Sequence, residues 1–312
     1  MDANKRFEIR QRCPSLREFE KNVPLKIKSL VVTGSSLKVN DTTYKIGIIR
    51  KCNVGEAPKH VAEKNETGGD PYEVDGYGIK DESDALLVTP GDVVTNQRSE
   101  QFMRNEDMHD GHLEELVRIL ARDFLSIRAD EKKIPSKYEL FVQLTKSRTV
   151  DKKEQKTIQR YTHNKKYSEA IKQLATVLLG GRCSPIYVTK LQCLCSRIIR
   201  LPVGLQLKVE QLVFRADLGT SVGVLAPILH KSSYPLKKLD VEFLSDGDAA
   251  NPIVNTAEIL RIRLVFRNHL QTMSAITNQV VHLAMAVLHG PSALLEELVE
   301  HWIESKRPVG YT

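Results

Sequence analysis

Leu207-Lys-Val-Glu-Gln-Leu-Val-Phe214 is an eight-residue apolar segment whose pattern returns three more times, as Leu236-Lys-Lys-Leu-Asp-Val-Glu-Phe243, Leu260-Arg-Ile-Arg-Leu-Val-Phe266 and Val280-Val-His-Leu-Ala-Met285. Each run is short, rich in β-branched or aromatic residues and broken by single polar residues, which reads as a strand. Stretches with helical spacing separate the runs, such as residues 222–229, and a further one, residues 294–303, follows the last run. Strand–helix units every 20 to 30 residues leave two arrangements open, a leucine-rich-repeat-like stack and an ordinary α+β layer. The spacing is irregular and the repeat's asparagine is missing. Both arrangements place the chain in the α+β class.

Upstream, residues 2–20 read as a helical segment with Phe7, Ile9, Leu16 and Phe19 as its apolar positions and a break at Cys13-Pro14-Ser15. From Val23 to Thr33 the period changes to two, predicting a strand, and residues 37–49 predict a hairpin turning at Asn40-Asp41. Residues 50–112, rich in Gly, Asp, Asn and Pro, predict a long loop region with short strands over 72–79 and 85–88. An amphipathic helix is expected over 112–129, then strands over 138–145 and 158–162 around a charged hairpin tip at 151–156. Ser168 is the expected N-cap of a helix that Gly180-Gly181 ends. The implied division is a short helical segment at 1–22, an α+β domain at 23–181 and a strand–helix, repeat-like domain at 182–312.

The bulk properties narrow the class. A chain of 312 residues that is 41% hydrophobic can fill a sizeable core. No apolar run approaches the roughly 20 residues that span a bilayer, and the polar start, Met1 to Arg6, has no apolar signal core behind it. The cysteines at 13, 52, 183, 193 and 195 are odd in number and scattered, which fits a reducing compartment better than a disulfide framework. The expected location is intracellular, in cytoplasm or nucleus. The formal charge is +7. Residues 118–172 hold 15 Lys and Arg against 7 Asp and Glu, so this one segment carries the whole excess.

The chemistry-bearing candidates weigh against catalysis. His109 and His112 lie together in a predicted loop, yet a closed zinc site wants four ligands and no cysteine is near. Cys193 and Cys195 share a strand face without a second ligand pair, so buried thiols acting as small apolar groups are the simpler reading. Neither Gly68-Gly69-Asp70 nor Gly180-Gly181 continues as a phosphate loop, and no nucleophile elbow is present. The expectation is no catalytic site, no cofactor and no metal. The basic patch of Lys152, Lys153, Lys156, Arg160, Lys165 and Lys166 could neutralise phosphates. A charged hairpin and a solvated helix face explain it as well, so nucleic-acid binding stands as the alternative function.

Five short words carry a resemblance. Val23-Pro-Leu-Lys-Ile-Lys-Ser-Leu30, Thr89-Pro-Gly-Asp-Val93, Leu201-Pro-Val-Gly-Leu205, Asn251-Pro-Ile-Val-Asn-Thr-Ala-Glu258 and Trp302-Ile-Glu304 occur in that order across nearly the whole chain. Together they resemble the nematode F-box C proteins, which share a large domain of unknown function. The resemblance implies a non-catalytic substrate receptor of an SCF-type ubiquitin ligase. In that role a Skp-type adaptor meets the F-box-like end, and the downstream domain holds an unknown protein target. Asn4 to Arg17 resemble the later part of the F-box-like segment, so Phe7, Ile9 and Leu16 are the implied adaptor-binding residues. The family's first helix, with its Leu-Pro start, has no counterpart before them, and the adaptor surface is expected to be incomplete.

Overall fold

The computed structural model describes residues 1–95, 135–150, 153–195, 197–216, 220–245, 247–263, 272–273, 275–283, 300 and 302–304. The helices expected at 112–129 and over most of 294–303, the pair His109 and His112, and Lys152 lie outside these residues.

Two short helices open the chain, α1 (Ala3–Arg12) and α2 (Arg17–Asn22), with one 3-10 turn at Pro14–Leu16 between them. Proline cannot donate its backbone nitrogen to a helix, so the break falls where Cys13-Pro14-Ser15 predicts it. Then come β1 (Lys26–Thr33), β2 (Ser36–Val39) and β3 (Thr42–Cys52), with Asn40 at φ +55° in the β2–β3 turn. This is the expected hairpin; asparagine tolerates the left-handed region better than most residues.

The stretch expected to be loop and short strands is different. It contains α3 (Lys59–Glu66), α4 (Glu82–Leu86) and β4 (Val93–Val94). The expected strand over 85–88 is displaced by α4, which Asp81 caps by accepting from the Ser83 and Asp84 N–H groups. Next are β5 (Tyr138–Val150) and β6 (Lys153–Thr162), a hairpin longer than predicted. Lys153 and Lys156 therefore stand on a strand and not in a hairpin tip. The rest comprises α5 (Tyr167–Leu179), β7 (Ile186–Leu194), β8 (Ile198–Ile199), β9 (Leu207–Arg215), β10 (Lys238–Val241), α6 (Pro252–Asn255), β11 (Ile259–Ile262) and β12 (Val280–Leu283).

One ten-stranded sheet runs in the order β12-β11-β10-β9-β7-β1-β2-β3-β5-β6. From β1 to β12 the pairing is parallel; from β1 to β6 it is antiparallel. The β1–β7 pairing carries the sheet across position 181/182. All four recurring apolar segments of the sequence contain a strand, and these strands are parallel neighbours. One buried row crosses Leu30, Leu191, Leu212, Leu239, Leu260 and Val281. From Leu191 onward its members lie 21, 27, 21 and 21 residues apart. A second row crosses Val32, Cys193, Phe214, Val241 and Ile262. Cys193 is thus a rung of the core, and burial pushes its thiol pKa up to about 12.

Short connections cover these rows. Val222, Leu225 and Ile228 come from a 3-10 segment, Ile253 and Val254 from α6, and Ile171, Leu174, Ala175 and Leu178 from the apolar stripe of α5. Trp302 is partly buried and packs against the same core. Gly180 and Gly181, the latter at φ +67°, end α5 as expected.

Candidate interaction surfaces

The N-terminal segment folds back onto the body. Asn4 Nδ2 donates to the Val39 carbonyl at 3.0 Å, and the Tyr44 hydroxyl donates to Asn4 Oδ1 at 3.0 Å. Ala3 and Phe7 enter the core, Phe7 being 2% exposed. Phe7 is therefore unavailable to a partner in this arrangement. Ile9 is half-buried and Leu16 is exposed. The helical stripe read from apolar residues alone missed the polar side chains that α1 buries, Asn4, Arg6 and Arg10. The side-chain hydrogen-bond partners of Asn4 and Arg6 lie 14 to 40 positions away, which no local pattern reveals. Leu16 (44% exposed), Phe19 (70%) and Val23 (39%) remain outside. Their spacing of three and four places them along one side of the 3-10 turn and α2.

The β5–β6 hairpin forms a second surface. Every residue of β6 is exposed, and β6 is an edge of the sheet. Lys153, Lys156 and Arg160 lie on it, while Lys165 and Lys166 follow before α5. Much of this charge is matched. Lys156 meets Glu154 at 3.1 Å, Lys166 meets Asp81 at 3.0 Å, and Arg148 meets Asp41 at 2.6 Å; Lys146 pairs with Glu8. Lys165 donates to Gln173, and Arg160 Nε donates to Gln143 Oε1 at 2.8 Å. Beside Arg160 an open cleft of about 570 Å³ lies between α3 and the hairpin, lined by Ile49, Lys51, Asn65, Phe141 and Thr162. Gly68 and Gly69 belong to packing here: a Cβ on Gly47 would lie 2.0 Å from the Gly68 carbonyl oxygen. This close backbone approach lets Asp70 pair with Ile48 through both backbone groups.

The third surface is the face of the parallel strands opposite the core. Gln192, Val213, Asp240, Arg261 and His282 form one row across it, in which Val213 and Asp240 are buried, Gln192 and Arg261 half-buried and His282 exposed. Asp240 sits among cations: Arg263 Nε is 2.9 Å from Oδ1 and Arg215 Nη2 is 3.8 Å away. Burial raises its pKa, but the hydrogen bond from Arg263 and the charges of Arg263, Arg215 and Arg261 outweigh that and hold it below the ordinary value. Further along, Glu210 accepts from the Tyr187 hydroxyl and pairs with Lys237 at 2.9 Å. The result is a set of fixed charged and polar groups, largely half-buried, with His282 exposed at the β12 end.

A group of carboxylates serves structure. Glu73 and Asp84 accept from the Tyr167 and Ser168 N–H groups and so cap α5 from outside. The cap is not Ser168 itself, which stands inside the first turn and gives its hydroxyl proton to Asp84. Asp92 holds Lys172 at 2.8 Å and Arg200 at 2.9 Å. Desolvation raises its pKa, yet the hydrogen bonds from Lys172, Thr89 and Arg200 win and depress it. Among the described residues, no three His, Cys, Asp or Glu side chains gather as a metal site, and no helix is long and apolar enough to cross a membrane.

Residues 166–312 match a family model described as a domain of unknown function, DUF3557. The match begins at the N-cap of α5 and spans every strand from β7 to β12. No F-box model matches the chain. No curated protein and no solved structure matches it.

Proposed function

We propose that the chain is a non-catalytic protein-interaction module that works as a substrate-receptor-like part of an SCF-type ubiquitin ligase. The observation that carries this reading is Phe19, 70% exposed between Leu16 and Val23 on a segment fastened to the body. A large aromatic left in water beside two exposed aliphatics is the composition of an interface anchor. The five-word resemblance supplies the partner: a Skp-type adaptor meets this N-terminal side. Phe7 serves the fold in this account, and Leu16 with Phe19 serves the partner. The DUF3557 domain and the outer face of its parallel strands hold the target, and the recurrence of the parallel rungs at intervals of 21 to 27 residues supports reading this half as a repeat-like platform.

The test is co-purification with the tagged chain, compared with Phe19→Ala and with the outer-face reversal Arg261→Glu. The expected result is that Phe19→Ala loses the adaptor and keeps targets, while Arg261→Glu keeps the adaptor and loses targets. Loss of both by either variant, with the fold intact, would contradict a two-ended receptor.

A second reading rests on β6. Tyr161, 53% exposed, stands on the same strand as Lys153, Lys156 and Arg160, the mixture that holds single-stranded nucleic acid by stacking and charge. On this reading binding is unselective, with Kd roughly 10⁻⁴–10⁻⁶ M at physiological salt.

A further inference from the structure

Four charged side chains meet where α1, α2 and the end of α5 come together. Arg6 Nε donates to Glu20 Oε1 at 2.9 Å, and Arg182 contacts the same carboxylate through both terminal nitrogens at 3.1 to 3.2 Å. Arg10 Nη1 is 3.9 Å from Glu20 Oε2. All four are buried: the side chains of Arg6, Arg10, Glu20 and Arg182 are 11%, 9%, 8% and 4% exposed. Three guanidinium groups thus share one carboxylate, an excess of two positive charges. The other charges nearby do not remove it. Glu18 is engaged by Lys21 at 2.9 Å, and Arg17 adds to the positive field at Arg10.

Two nitrogens at this place have no hydrogen-bond partner among the described residues, Arg10 Nη1 and Arg182 Nε. Arg6 is saturated by comparison, donating to the Pro24, Glu20 and Val23 carbonyls as well. Buried donors are rarely left unmade, and a guanidinium even less often. Desolvation lowers the pKa of both Arg10 and Arg182, only partly offset by Glu20, so the site works against the charge it gathers. Arg182 also lines a cleft of about 410 Å³ together with Gly180, Gly181, Cys183, Ser184 and His230.

We propose that Arg10, Arg182 and Arg6, gathered on Glu20, form a binding site for a phosphate-class dianion, with Arg182 on the side that opens to the cleft at the end of α5. A phosphate or phosphomonoester brings a charge of about −1.5 to −2 at neutral pH, close to the excess of two, and three or more acceptor oxygens for the two open N–H groups. A single carboxylate matches neither number. Binding there fastens α1 and α2 to the body, so the anion controls how firmly the N-terminal segment is held.

The experiment measures inorganic phosphate binding to the full chain by calorimetry, at constant ionic strength with chloride as the reference, for wild type, Arg10→Gln, Arg182→Gln and the surface control Lys156→Gln. Arg10→Gln leaves the Arg6–Glu20–Arg182 contacts in place, and circular dichroism checks its fold. Saturable one-to-one binding by wild type and Lys156→Gln, weakened at least about tenfold in both arginine variants, is the expected result. A thermal melt supplies the independent readout: phosphate raises the wild-type Tm, and the gap to Arg10→Gln is wider in phosphate than in chloride. O-Phosphoserine distinguishes the source. Binding as tight as or tighter than that of inorganic phosphate assigns the site to a phosphoryl group on a larger ligand, and exclusion assigns it to the free ion. Absence of binding up to tens of millimolar, or equal binding by wild type and Arg10→Gln, overturns the proposal.

Discussion

Glu20 is the residue on which the N-terminal segment turns. It is the common partner of Arg6 and Arg182, so removing its carboxylate leaves those guanidinium groups buried without their main counter-charge. Glu20→Ala is expected to cost about 3–5 kcal/mol, the range for breaking a buried pair from one side. Urea melts check it, and proteolysis should then cut first between α1 and β1. By contrast Phe19→Ala removes an exposed side chain and should change stability by less than about 0.5 kcal/mol. His163 gives a pH signature. Its Nε2 lies 2.8 Å from Glu73 Oε1, and this side-chain interaction raises its pKa above the ordinary 6.5 against the opposing effect of burial. The contribution is complete below the unfolded value near 6.5 and is lost as pH rises through the folded value. The stability difference between wild type and His163→Gln should therefore shrink steadily above neutrality, and NMR titration of the imidazole should give a value above 6.5. A difference that grows with pH would mean that Glu73 does not act on His163 in this way. None of these pairings is visible in the sequence. Glu20 looks like one more surface glutamate between Phe19 and Lys21, because its partners lie 14 residues before it and 162 residues after it.

At the scale of elements, the strands were legible and the loop region was not. Period-two patterning located β1, the β2–β3 hairpin and all four recurring runs, because a strand with one buried face alternates whatever its neighbours are. Residues 50–95 escaped because their order comes from distant contacts. Asp84, Glu73 and Asp92 fasten this stretch to α5 and to Arg200, and α3 buries only Val61. A weakly amphipathic helix held by side-chain carboxylates leaves little periodic signal. The β5–β6 hairpin also outran its prediction, since a strand exposed on both faces, such as β6, does not alternate apolar with polar. Its lysines suit an edge strand, where charge discourages pairing with a second chain. Replacing Lys153, Lys156 and Arg160 together by threonine should leave the fold intact and raise self-association, measured by light scattering over a concentration series. Unchanged scattering would remove that role from the charges.

The whole molecule joins two kinds of sheet through β1, with antiparallel hairpins on one side and a parallel series on the other. The parallel half is one continuous core, so Leu239→Ala or Leu260→Ala, each at full burial, should cost about 2–5 kcal/mol and lower a single cooperative transition. The candidate surfaces were only partly foreseen. Of the residues that the resemblance implies for an adaptor, Leu16 is exposed and Phe7 is core; the row through Asp240 and Arg261 leaves no sequence signal, because its ion pairs join residues of different strands. In the proposed function the N-terminal side takes an adaptor through Leu16 and Phe19 while the parallel half takes a target. Calorimetric titration of a purified Skp-type adaptor into wild type and Phe19→Ala tests this most directly. The expected result is saturable one-to-one binding to wild type, weak because the implied adaptor surface is incomplete, and at least about tenfold weaker again in Phe19→Ala, a loss of about 1.4 kcal/mol or more. Absence of binding to wild type, or equal binding to both, would contradict it.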